Sequence, residues 1–444
     1  MTENAELRII KTLQHHMPPF VRFILHRLKE AGHEGVIVGG ALRDAALNRR
    51  VTDWDVATAA SGQVLRRLFR GTPHFSLKHD TMTLVHEGRH VEVTPFRGKR
   101  PSLRQDLSRR DFTINAMAYD PEKDLFADPF EGLKDIRSKQ IRAVADPRKR
   151  FEEDPIRLMR AVRFSAELGF AIEPGTQSEL SQLNPLIATS APERVRDEMT
   201  KLLLGPTRPS IGFNRMAAAG LLKQLIPELA EGILKRQNSY HRYTIFKHIM
   251  ETVDRTEPTL IFRLAGLLHD VAKPRVRTKK AGVWRFYGHE TESARMAEEI
   301  MNRFRFKKEV VREVVALIRH HLIGYRRDWG DAAVRRFIRR AGPHRVMDLI
   351  AFRRADLQAH GRGDDGSNLL DELARRVQKE IRAGTPTDIE ALSIDGNDVM
   401  AILNIPPGPQ VGGILQEMLE LVMQHPDMNH RDRLSAILGE RNSL

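Results

Sequence analysis

The chain is 444 residues long, 41% hydrophobic and 29% charged, a globular composition with length for roughly three or four packed units. It has no cysteine, which excludes disulfide-linked partners, zinc–thiolate sites and a cysteine nucleophile and fits a reducing cytoplasm. Its 72 Lys and Arg against 58 Asp and Glu give a formal +14, pointing to a polyanionic partner, most simply nucleic acid, with a solvated basic surface as the alternative.

The start, Met1 to Leu13, is polar and carries Glu3 and Glu6, so it does not read as a secretory leader. No uncharged apolar run approaches the roughly 20 residues of a membrane span, and the expectation is a soluble cytoplasmic protein with no membrane contact. Periodicity predicts an amphipathic helix over 18–31, with Phe20, Phe23, Ile24, Leu25 and Leu28 on its apolar face. Val36-Ile37-Val38 reads as a short buried strand ending in Gly39-Gly40, with a helix from Ala41 to Leu47. Asp53 to Val56 reads as a second strand, Gln63 to Phe69 as a helix, and Thr81 to Phe96 as a hairpin turning at Glu87-Gly88-Arg89. Beyond about residue 140 strand signals nearly vanish. Helical periodicity runs from 147 to 168, stopped by Gly169, from 192 to 204, stopped by Gly205, and from about 210 to 382. Gly-Thr-Pro-Thr at 384–387 reads as a linker before a short tail.

The sharpest chemical signal is Gly39-Gly40-Ala41-Leu42-Arg43-Asp44 followed by Asp53-Trp54-Asp55. A glycine pair between strand and helix lets backbone approach an anion closely. Two aspartates at i and i+2 on a strand project from one face and can hold Mg²⁺, which also takes oxygens of a nucleoside triphosphate. Glu92, on the strand Val91 to Val93, is a candidate third carboxylate or a solvent-facing residue. Three further runs follow in order: Arg109-Arg110-Asp111-Phe112-Thr113-Ile114-Asn115-Ala116, Glu153-Asp154-Pro155-Ile156-Arg157-Leu158-Met159-Arg160 continuing to Arg163, and Pro192-Glu193-Arg194-Val195-Arg196-Asp197-Glu198.

Together these runs, from Val36 to about Gly205, resemble the class II tRNA nucleotidyltransferase and poly(A) polymerase family. The resemblance implies an α/β head with a small polymerase-β-like sheet, followed by an all-α neck, body and tail. On it, residues 1–33 are an N-terminal helical extension, 34–140 the head, 141–208 the neck with a nucleotide-selecting helix, 209–383 the body and 384–444 the tail. It also implies that Asp53 and Asp55 hold catalytic Mg²⁺ and that Gly40 and Arg43 cradle the triphosphate. Arg110 and Asn115 then contact triphosphate or sugar, and Arg160 and Arg163 extend the nucleotide pocket. The implied reaction is attack of a tRNA 3′-hydroxyl on the α-phosphate of CTP (or ATP), releasing pyrophosphate.

Asp154 and Arg157, at i and i+3, are neighbours on one helix face. An aspartate accepts from an exocyclic amine and an arginine donates to ring nitrogen and carbonyl, so the pair fits cytosine and adenine and rejects uracil and guanine. Asp154 before Pro155 reads alternatively as an N-cap, with Glu153 pairing Arg157.

One departure from the family bears on specificity. Members that build the whole CCA end carry a longer flexible segment between the Phe-Arg strand end and Arg-Arg-Asp. Here only Gly98 to Ser108 separate Phe96-Arg97 from Arg109-Arg110, which resembles the CC-adding members. The expectation is addition of two cytidines, with a full CCA-adding enzyme or a poly(A) polymerase as alternatives.

In the helical body His248, His269-Asp270 and Asp356 resemble the HD metal-dependent phosphohydrolase domain over about residues 241–360, with His289, His320 and His321 as further candidates. Two imidazoles and two carboxylates suit a divalent transition metal, although each histidine could equally be a core or surface residue. In the tail and body, Asn429-His430-Arg431-Asp432, Arg326-Arg327 and Arg335-Arg336 are candidate grips on tRNA phosphates, or ordinary surface residues.

Overall fold

A computed structural model describes residues 2–76, 80–98, 101–238, 240–361 and 366–441. Contacts divide the chain into two units, Met1–Leu225 and Ile226–Leu444.

The first unit opens with the helices Thr2–His16 and Pro19–Glu30. The second has proline in its first turn and buries Phe20, Val21, Ile24, Leu25 and Leu28. Its apolar stripe steps by four residues, which leaves the expected Phe23 44% exposed and brings Val21 inside instead.

Behind these helices lies a seven-stranded sheet of order β3-β4-β5-β2-β1-β6-β7. Its strands are β1 Gly35–Val38, β2 Asp55–Thr58, β3 His74–Ser76, β4 Met82–His86, β5 Arg89–Pro95, β6 Ala118–Asp120 and β7 Leu125–Ala127. All neighbours are antiparallel except β2 and β5, which run parallel with Asp55 opposite Glu92. The β4–β5 turn places Glu87 and Gly88 at φ 49° and 73°, the doubly positive turn that matches strand twist. β2 begins at Asp55, two residues later than expected, so Asp53 precedes the strand.

The expected helix over 147–168 is two helices, Pro147–Glu153 and Ile156–Leu168. Pro155 forces the break. The residue before a proline is sterically driven out of the helical region, and Asp154 sits at φ −152°, ψ 94°. The helix Pro192–Leu204 follows as predicted.

The second unit is helical, with one small hairpin that the sequence did not signal, Thr278–Lys280 against Val283–Arg285. Ala281 and Gly282 both take positive φ there, and the Arg277 guanidinium lies 3.3 Å from the Trp284 ring centre. The helix Ser367–Arg382 ends before Gly384 at φ 66°, and the tail helices pack around Leu419, Val422, Leu434 and Leu438. Among the described residues no helix is long and apolar enough to cross a membrane.

Candidate active site

In the first unit a cavity of about 420 Å³ is lined by eight cationic side chains and four aspartates, Asp53, Asp55, Asp111 and Asp154. Gly39 closes β1 at φ 76°, and a Cβ there would stand 3.2 Å from Asp55 Oδ2 and 3.1 Å from Arg110 Nη1. Only glycine combines that backbone conformation with so close an approach. Asp53 and Asp55 both face the cavity. Burial, reinforced by Asp53, pushes Asp55 up to about 7, with Arg110 opposing. Glu92, beside them on β5, is also raised, by desolvation first and then by Asp53. Carboxylates that repel one another in this way fit a divalent cation, which would remove both penalties.

The cationic wall is held in place by a buried network. Arg43 donates to Asn115 Oδ1 at 2.9 Å and to Asp44 at 3.0 Å; Asn115 Nδ2 donates to Asp111 at 3.0 Å. Arg160 grips Asp111 Oδ2 through Nε and Nη2 at 2.9 and 2.7 Å. Arg163 donates to Glu198 at 2.6 Å and Glu167 at 2.8 Å. Burial alone would raise Asp111, but Arg160, Asn115 and the Phe112 N–H together hold it well below the usual carboxylate range. Phe164 lies beneath Arg43, Arg160 and Arg163, with guanidinium-to-ring distances of 5.1, 5.2 and 4.2 Å. The ring fixes the height of three cations at once. Sequence reading did not single out Phe164, Asp111 or Glu198 for this work; the arginines facing them were the signal.

The expected Asp154–Arg157 pair is arranged differently. Asp154 lies outside both helices and caps neither with its side chain, which also removes the N-cap reading. Arg194 takes its two oxygens in a bidentate clasp at 2.7 and 2.9 Å. Arg157 donates to the carbonyls of Arg109 at 2.7 Å and Arg150 at 3.1 Å and lies 3.4 Å from Glu153. Asp154 and Arg157 still line the same cavity. The Gly98–Ser108 segment is anchored in its second half. Leu103–Ser108 is a helix capped by Ser102, and its buried Asp106 lies 3.2 Å from Arg110 and 3.8 Å from Arg97. Lys99 and Arg100 lie outside the described residues.

In the second unit, the four expected HD residues converge. His248 Nε2 lies 3.0 Å from Asp356 Oδ1 and 3.3 Å from Asp270 Oδ2. His269 Nε2 lies 3.3 Å from each of the same two oxygens. All four side chains are almost fully buried. Burial alone would lower His269, yet Asp270 and Asp356 carry it up to about 10. Two imidazoles and two carboxylates at such spacing suit a divalent transition metal. His289 and His321 join the cluster, whereas His320 lines a different cleft with Glu309 and Arg312. The cluster opens onto a cavity of about 540 Å³ bounded by Lys273, Phe286, Tyr287 and Arg353.

Two candidate tRNA grips are committed elsewhere. Arg335 is buried and donates to Glu380 at 2.6 Å and to the Met423 carbonyl at 2.8 Å. Asn429 spends its side chain on the Ser393 N–H at 2.9 Å and the Ala391 carbonyl at 3.1 Å.

Comparison with known proteins finds a family match over each of the two units. Residues 36–142 match the poly A polymerase head domain family, residues 169–233 the probable RNA and SrmB-binding site of polymerase A, and residues 238–356 the HD domain. The chain is 33% identical over 410 residues to the A-adding tRNA nucleotidyltransferase of Deinococcus radiodurans, covering 86% of this chain and 90% of that protein. It is 43% identical over 205 residues to the CCA-adding enzyme of Geobacillus stearothermophilus, covering 43% of this chain and 50% of that one. The crystal structure of the Bacillus stearothermophilus CCA-adding enzyme in complex with CTP is 29% identical and superposes with a TM-score of 0.72, covering 96% of this chain and 98% of that one.

Proposed function

Since the chain belongs to the tRNA nucleotidyltransferase family, we propose that it transfers cytidylate from CTP to the 3′ end of tRNA, adds two cytidines and stops. In this reading Asp53 and Asp55 hold Mg²⁺, which when bound neutralises triphosphate charge and helps orient the reacting oxygens. Gly39 and Gly40 bring backbone close to the phosphates, and Arg43, Arg110 and Asn115 bind triphosphate and sugar. The tRNA 3′-hydroxyl attacks the α-phosphorus, the bond to the pyrophosphate oxygen breaks, and pyrophosphate leaves into the arginine wall formed with Arg160 and Arg163. Catalysis rests on positioning and charge complementarity, without a protein nucleophile.

Asp154 accepts from the 4-amino group of cytosine while Arg157 donates to the ring nitrogen and carbonyl. A uracil, presenting a carbonyl and an N–H instead, leaves both side chains mismatched. The reading that the enzyme stops after CC is carried by one observation. The segment joining β5 to Arg109-Arg110 is short, and its second half is a capped helix pinned by Asp106. No long loop is free there to reshape the pocket from C to A.

We keep the division into extension 1–33, head 34–140, neck 141–208, body 209–383 and tail 384–444, with the cysteine-free composition supporting a cytoplasmic setting. The test is extension of a tRNA transcript lacking its CCA end, with CTP or UTP and Mg²⁺, resolved at single-nucleotide length. Two cytidines and no uridine are expected. A failure to extend with CTP would overturn the reading, and long tails formed only with ATP would make the protein a poly(A) polymerase.

A second reading for the body is a metal-dependent phosphohydrolase. It is favoured by the convergence of His248, His269, Asp270 and Asp356 at the floor of a cavity that also carries Lys273.

A further inference from the structure

The hairpin Thr278–Lys280 against Val283–Arg285 belongs to neither site described above, and its charge is one-sided. From Lys273 to Gly288 the chain carries Lys273, Arg275, Arg277, Lys279, Lys280 and Arg285 and no acidic residue. Lys273 and Arg275 are neutralised by Asp270 and Glu231. Arg277, Lys279, Lys280 and Arg285 have no carboxylate within ion-pair range among the described residues.

The register sorts these four cations onto two faces. Lys279 stands opposite Trp284, Lys280 opposite Val283 and Thr278 opposite Arg285. Opposed residues share a face and successive residues alternate. Arg277 and Lys279 therefore lie with Trp284, at 3.3 and 5.5 Å from its ring centre, and Lys280 and Arg285 lie on the other face. Arg285 lines the body cavity of about 540 Å³, so the face it shares with Lys280 is the one turned to that cavity's rim.

The same rim gathers exposed aromatic surface. Of the five tyrosines in the chain, only Tyr240 and Tyr287 are exposed, at 68% and 74%, and both line this cavity. Aromatic rings are normally spent on a core or an interface. Two held in solvent beside unneutralised cations offer stacking platforms next to phosphate partners, the combination that tracks an unpaired polynucleotide strand.

We propose that this rim binds single-stranded RNA, with phosphates on Lys280 and Arg285 and bases stacked on Tyr240 and Tyr287. A paired stem does not serve, because its bases are already stacked on one another and leave both tyrosines without partners. The surface shares no residue with the head cavity. It rests neither on cytidine addition nor on hydrolysis at the cluster beneath the rim.

The test is binding of a fluorescein-labelled strand of ten uridines to the full chain, followed by anisotropy across a salt series with no nucleoside triphosphate present. Lys280→Gln with Arg285→Gln should weaken binding about tenfold and reduce the slope of log affinity against log salt by about 1.4, two phosphate contacts on a single strand. Tyr240→Ala with Tyr287→Ala should weaken binding about 5- to 100-fold with the slope unchanged. Tyr240→Phe with Tyr287→Phe should bind as the wild type does, because the ring and not the hydroxyl carries the base. Unchanged affinity in the glutamine and alanine pairs overturns the proposal. So does a duplex of the same length that binds the wild type as tightly as the single strand. Photocrosslinking needs no variant. A strand carrying 4-thiouridine should crosslink to the wild type at Tyr240, Tyr287 or the hairpin, and crosslinks confined to residues 1–225 overturn the proposal.

Discussion

The two sites of this chain solve opposite electrostatic problems. The head presents eight cationic side chains against four aspartates in a cavity of about 420 Å³, and three of those cations, Arg43, Arg160 and Arg163, rest on Phe164, with Asp111 and Glu198 gripping the latter two. The body buries two carboxylates among four inward-turned imidazoles. On the proposed reading, the first receives a nucleoside triphosphate beside Mg²⁺ on Asp53 and Asp55, and the second retains a cation. Opposite designs are reached with similar means. In each, a buried aspartate organises the surrounding ring of partners, Asp111 beneath the arginines and Asp270 between the histidines.

The comparison can be broken most sharply at Asp53. Replacing Asp53 with Ala should lower cytidine addition by on the order of 10³-fold, while cobalt retention in the body stays at the wild-type value. Retained addition would remove the metal role from Asp53.

Asp111→Ala should come next in size, costing about 3–5 kcal/mol in denaturant unfolding, because it strands Arg160 and Asn115 in a buried network. The pH dependence has a definite sign. An unfolded chain takes up the Asp111 proton in the ordinary carboxylate range, whereas the folded chain holds Asp111 well below it. The stability from this pair is therefore complete at neutral pH and is lost as the pH falls through the acid range. Unfolding measured from pH 7 down to 3 should show a shallower decline in Asp111→Asn; an unchanged slope would remove Asp111 as its source.

Asp154→Ala should reduce the preference for CTP over UTP by roughly 5- to 100-fold in kcat/KM, the value of one specific base contact. Arg194→Ala should have the smallest effect, a few-fold loss of the same preference with Mg²⁺ dependence unchanged, because Asp154 remains but loses its clasp. Equal CTP and UTP ratios in wild type and Arg194→Ala would show that the clasp does not orient Asp154.

These outcomes also mark how much the sequence carries. Gly39-Gly40, the paired aspartates and the four HD residues were legible because each is a fixed residue type at a fixed place on a local element. Strands β1, β2, β4 and β5 and the Glu87-Gly88 turn were legible for the same reason, whereas the three-residue strands β3, β6 and β7 were not signalled, being too short to show alternation. Asp154 was misjudged as a helix-face residue because periodicity runs through 147–168, although Pro155 in that same stretch is the physical reason for the break. The Arg194–Asp154 clasp spans 40 positions and the Arg163–Glu198 pair 35. Packing of one helix on another sets both, and no spacing announces them. Adjacent His320 and His321 looked equivalent in sequence, yet only His321 turns inward with its Nδ1 braced on Ile318. Arg335 read as surface charge, and its burial against Glu380 and Met423 depends on residues 45 and 88 positions away.

The central proposal is that the head stops after two cytidines because the segment from Gly98 to Ser108 is short. The most direct measurement is incubation of the full chain and Mg²⁺ with a tRNA transcript ending in CC and ATP as the sole nucleotide. The account predicts no added adenosine, while the same preparation extends the transcript lacking CC with CTP. A single adenosine added to the CC end at a rate comparable to cytidine addition would contradict it.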